Sequence, residues 1–129
     1  MSKIKSLLLI TALIDAIYAV ALVFMPDKFV EMHGLQISDA AIFTTRLLSP
    51  AVISDCLLAL FGITLLQSRE AQRAIALKFF LSWGIGGVVI LLGKLTIETM
   101  SAIAWVDVGF AAIFTLIWGY YLFAKPKVT

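Results

Sequence analysis

The chain has 129 residues, of which 62% are hydrophobic and 14% charged, with a formal net charge of +2. A soluble domain averages roughly 45–50% apolar and about 25% charged residues, so a water-exposed fold is excluded for want of polar surface, and nucleic-acid binding for want of a basic face. A single cysteine, Cys56, excludes an intrachain disulfide and a cysteine-based metal cluster.

What remains is an integral membrane protein forming one domain over residues 1–129. A span needs about 20 predominantly apolar residues, and four stretches supply them. The first covers 4–25 and stops before Pro26, whose ring is incompatible with a helix interior. Lys3 and Lys5 lead into it, and Ala19-Val20-Ala21 has the small-x-small form of a signal-peptidase site. The run is nevertheless long enough to span and is interrupted by Asp15, so it reads as a retained first helix. Over 26–37, Phe29, Val30, Met32 and Leu35 predict a short interfacial helix ending near Gly34. The second span covers 39–67, with Ser38 or Asp39 as N-cap and Pro50 predicting a kink. The third covers 74–97 and the fourth 102–123. The short connections 68–73 and 98–101 make consecutive helices antiparallel neighbours. The expectation is an all-α, antiparallel four-transmembrane-helix bundle.

Lys3, Lys5, Arg69, Arg73, Lys125 and Lys127 fall on one side of these spans, with Lys78 just inside; Lys28, Arg46 and Lys94 fall toward the other. A Lys/Arg excess marks the cytoplasmic side, so both termini are expected in the cytoplasm, with the chain in a bacterial inner membrane. Trp105 at the outer boundary and Trp118, Tyr120 and Tyr121 at the inner one suit an aromatic belt. Gly84, Gly86 and Gly87 form a small-residue face that lets helix backbones approach, within the bundle or between protomers.

Asp15, Asp55 and Asp107 lie inside the spans. A carboxylate at membrane depth costs roughly 2.5–3.5 kcal/mol on insertion scales and should face a cavity or a partner. At 1.5 Å rise per residue they lie roughly 15, 12 and 8 Å below the outer end, while Arg46 and Lys94 stand near that end and Glu98 lies one turn beyond Lys94. That shared level predicts a small, outward-opening polar pocket in which Arg46 and Lys94 partly neutralise the aspartates. Thr11, Asp15, Tyr18 and Leu22 share one face of the first helix. Asp55 shares a face with Ala51, Ala59 and Gly62, and Asp107 with Ile103, Phe110 and Phe114. Buried charges also serve purely to fix helix register, so the same residues also read as a structural lock, or as a proton or ion pathway. His33, the single histidine, reads as a surface residue that cannot alone make a metal or haem site. Cys56 reads as an inert small hydrophobe. No metal, cofactor or catalytic motif is read.

A first span ending at Pro26, then Phe29, Gly34, a helix led by Asp39, and Arg46 followed three residues on by a small residue resembles bacterial four-helix proteins of the DoxX-like and DUF4345-like groups. The resemblance covers the first two spans; Ser49 stands where the Arg-x-x-Gly pattern carries glycine. It implies a four-helix membrane fold and assigns no role to any residue. The acidic residue midway along the first helix also resembles small multidrug-resistance transporters, which lack the long first loop.

Three functions fit. The leading one is a non-enzymatic accessory or assembly subunit, packing through Gly84, Gly86 and Gly87 on a larger membrane complex or as a homo-oligomer. The second is a protein binding a small hydrophobic or lipid-like ligand, or a membrane enzyme. There the pocket of Asp15, Tyr18, Arg46, Asp55, Lys94 and Asp107 does the work, with Asp15 or Asp55 as acid or base and Arg46 and Lys94 on an anion or headgroup. The third is an oligomeric proton-coupled transporter with Asp15 as coupling acid.

Overall fold

The computed structural model describes residues 2–65 and 68–124; Gln67, Lys125 and Lys127 lie outside the described residues. Among these, the chain forms five helices: α1 Lys3–Phe24, α2 Pro26–Met32, α3 Asp39–Leu65, α4 Arg69–Thr96 and α5 Ile103–Phe123. Four of them, α1, α3, α4 and α5, are long and apolar enough to cross a membrane, as in a multi-pass membrane protein.

Short polar residues set the boundaries. The Ser2 hydroxyl accepts from the Lys5 N–H at 3.4 Å and opens α1. Pro26 then starts α2 at its first turn, where a missing N–H is harmless. α2 ends at Gly34, whose φ of 71° is the left-handed conformation that glycine adopts without Cβ strain. There the Gly34 N–H donates to Glu31 O at 2.9 Å and the Leu35 N–H to Val30 O at 3.2 Å. For α3, Ser38 is the N-cap, accepting from the Ala41 N–H at 3.1 Å. Ser68 plays the same part for α4, accepting from the Ala71 N–H at 3.0 Å. The helix therefore begins at Arg69, before the apolar stretch at 74. Residues 69–73 are polar apart from Ala71 but are good helix formers, so hydropathy locates the span while the cap locates the helix.

The chain divides into two compact units, Met1–Leu65 and Leu66–Thr129. In the first, α1 packs along α3 and α2 touches both. Its buried positions on α1 include Leu8, Thr11, Ala12, Asp15, Ala19 and Leu22, a helical stripe at three- and four-residue spacing. On α3 they are Thr45, Ser49, Ala59 and Gly62, all small or hydroxylated.

In the second unit α4 packs along α5. Two aromatic stacks hold this pair: Phe79 on Trp118 at 4.9 Å and Trp83 on Phe114 at 4.8 Å between centroids. Such stacks contribute about 0.5–1.5 kcal/mol each beyond the area they bury. Gly87 provides the closest approach: a Cβ there would sit 2.8 Å from the Ala111 Cβ.

Candidate functional site

The sequence-predicted polar residues fall on both units. Asp15, Tyr18, Arg46 and Asp55 belong to the first; Lys94 and Asp107 belong to the second.

Asp15 is 7% exposed and Thr11, one turn before it on the same face of α1, is fully buried. The Thr11 hydroxyl has no hydrogen-bond partner among the described residues. Across the helix pair, the Cys56 thiol donates to the Ala12 carbonyl at 3.3 Å, and the Asp15 carboxylate lies within electrostatic reach of that thiol. Asp15 thus sits at the level where α3 carries Asp55 and Cys56, both half-buried. Tyr18 is half-buried, its ring edge-on to Phe29 at 6.3 Å.

Higher on α3, Pro50 lacks the N–H that would bond the Arg46 carbonyl four residues back. The Ser49 hydroxyl donates to that same carbonyl at 2.6 Å. Ser49 is 7% exposed, so its donor replaces the missing backbone bond at a buried position. The Arg46 side chain is exposed.

His33 differs from its expected surface placement, being 7% exposed. It closes α2: its ring packs on Phe29 with centroids 4.4 Å apart, and Nδ1 meets the Phe29 carbonyl at 2.8 Å. A carbonyl only accepts, so Nδ1 carries the proton. The same carbonyl also accepts the His33 backbone N–H at 3.3 Å, so ring and backbone together fold His33 onto the last turn, a local contact that hydropathy does not register.

In the second unit, Lys94 lies in the last turn of α4 and its ammonium donates to the Met100 carbonyl at 2.6 Å. It ties the helix end to the α4–α5 connection and complements the negative end of the helix dipole. Asp107 is half-buried. The three glycines differ: a Cβ at Gly84 would touch the Thr115 methyl at 3.5 Å, one at Gly87 would press on Ala111, and one at Gly86 would meet nothing within 4 Å.

Sequence reasoning passed over Thr45 and the Cys56 contact, noted Ser49 only as a departure from a pattern, and used Lys78, whose ammonium lies 4.5 Å over the Phe79 ring, only for orientation. The Ser49-Pro50 pair carried a readable signal, since a proline in a helix always leaves a carbonyl to be satisfied. The Cys56 contact had none, because it depends on the register of α1 against α3. Among the described residues no group of three or more His, Cys, Asp or Glu side chains is placed to hold a metal ion. No protein-family profile, curated protein or solved structure matches the chain.

Proposed function

We propose that this chain is a four-span, antiparallel bundle of a bacterial inner membrane, both termini cytoplasmic, acting as a non-enzymatic accessory or assembly subunit of a larger membrane complex. The antiparallel arrangement is supported in the second unit by contacts that run in opposite directions: Phe80 with Gly119, Gly84 with Thr115, and Gly87 with Ala111. The surrounding partner is the lipid bilayer, in keeping with four apolar helices.

One observation carries the subunit reading. Gly86 leaves open space on α4, beside Ile85 and Val89, each 62% exposed. A small residue bordering a large apolar face lets a second helix approach to backbone distance. Gly84 and Gly87 face α5 instead, so the docking face narrows to Gly86 and its neighbours. Polar groups of this helix pair serve the fold itself: Lys94 holds Met100, and Thr115 holds the Ala111 carbonyl at 2.6 Å.

The test is co-purification in native nanodiscs, with every protein and lipid in the particle quantified. Wild type is expected to carry a stoichiometric larger partner or a second copy, and Gly86→Leu to lose it while keeping its helical content. Association unchanged in Gly86→Leu overturns the proposed face. Gly87→Leu cannot serve, because it would part α4 from α5.

A second reading is favoured by the burial of Thr11 and Asp15: a small-molecule or lipid-like ligand, or a coupled proton, engaged by the first unit. Asp15→Asn abolishing binding or transport in a folded protein would favour it over the subunit reading.

A further inference from the structure

We infer that Thr11 and Asp15 form a buried water site, with one water molecule bridging the Thr11 hydroxyl and the Asp15 carboxylate inside the first unit. This goes beyond the subunit reading and does not depend on it.

The inference starts from Thr11. In a helix a threonine hydroxyl ordinarily bonds the carbonyl three or four residues back, as Thr115 does with Ala111 and Thr96 with Leu92 at 2.7 Å. Thr64 does likewise with Phe61 at 2.7 Å. Thr11 makes no such bond although it is fully buried. Its hydroxyl thus goes without the local acceptor that its counterparts use. A buried hydroxyl left unsatisfied is costly, and such groups in folded proteins are satisfied by side chain, backbone or ordered water.

Its neighbour on the same face is Asp15, four residues on and likewise buried. Side chains at that spacing are adjacent on a helix surface. Both groups are short, which suits a bridge through one water better than direct contact. A water donates to the carboxylate and exchanges a hydrogen bond with the hydroxyl, giving Thr11 the partner that the helix does not supply. The buried positions of α3 are all small or hydroxylated, Thr45, Ser49, Ala59 and Gly62, so the helix pair is not filled by bulky side chains from that helix. The Cys56 thiol is committed to the Ala12 carbonyl and so forms a wall of the site.

The chemical consequence is that a proton reaching this water from outside the site passes to Asp15. Hydronium and carboxylate give water and carboxylic acid, and the reverse step returns the proton to the same water.

The test uses the full chain in nanodiscs and infrared spectroscopy of the Asp15 carboxyl band. The band is assigned by its loss in Asp15→Asn or, if that variant does not fold, by its displacement in Asp15→Glu. Transfer from H2O to D2O is expected to shift the band in wild type and in Thr11→Ser, and not in Thr11→Val. Thr11→Val is also expected to lower the thermal midpoint by a few degrees, less so when Asp15→Asn is already present. A wild-type band insensitive to D2O overturns the site, as does a shift that persists unchanged in Thr11→Val. So does a raised midpoint in Thr11→Val, the result expected if the hydroxyl is merely orphaned.

Discussion

Pro50 removes a backbone donor in the interior of α3, and the Ser49 hydroxyl stands in for it at the Arg46 carbonyl. A buried hydrogen bond of this kind contributes about 0.5–1.5 kcal/mol. Ser49→Ala is therefore expected to lower stability by about 1 kcal/mol in mixed-micelle unfolding followed by circular dichroism. In a Pro50→Ala background, which restores the N–H, the same substitution should cost clearly less. Equal costs in both backgrounds would refute the compensation. The residue was legible as a departure from Arg-x-x-Gly, yet its reason was not, because that needed the proline and serine to be read together. The buried histidine was illegible for a related cause. Its ring lies on Phe29, four residues earlier, and hydropathy does not register that contact.

At the level of helices, the glycines of α4 separate by what they meet. A methyl added at Gly87 lands on the Ala111 side chain, and forcing atoms into a closed interface costs typically 1–3 kcal/mol. Gly87→Ala should destabilise the second unit by about that amount. Gly86→Ala, with open space around it, should be neutral or gain up to about 1 kcal/mol from helix propensity. Mixed-micelle unfolding of both variants checks the pair, and a reversed order would show the α4–α5 register to be wrong. Removing the α4 cap with Ser68→Ala should cost about 1 kcal/mol, read as lost helix content at the start of α4. The small-residue stretch was visible in the sequence, but its division into inner and outer glycines was not. Composition locates glycines on a helix, and only the crossing partner decides which are occupied.

For the molecule as a whole, composition alone led to helices long and apolar enough to cross a membrane, and the structure has four of them. The proposed orientation has its own check. In a Cys56→Ser background, Gln36→Cys should react with an impermeant maleimide added to intact cells, and Ser2→Cys only after lysis. Labelling of Ser2→Cys from outside would invert the orientation. The shared face of the first helix was legible: Thr11, Asp15 and Leu22 are buried and Tyr18 half-buried. The grouping of the charges was harder to read. Counting residues from a helix end gives depth, which is one coordinate, and Asp15 and Asp55 share a unit while Lys94 and Asp107 belong to another.

The single cysteine has a use that its packing provides. Its thiol is held by a carbonyl of the opposite helix, so its accessibility depends on α1 and α3 staying together. A small, lipid-soluble thiol reagent should modify it slowly in the native protein and rapidly once the two helices part. The chain thus carries its own chemical clock for the opening of the first unit, readable by mass without an added label.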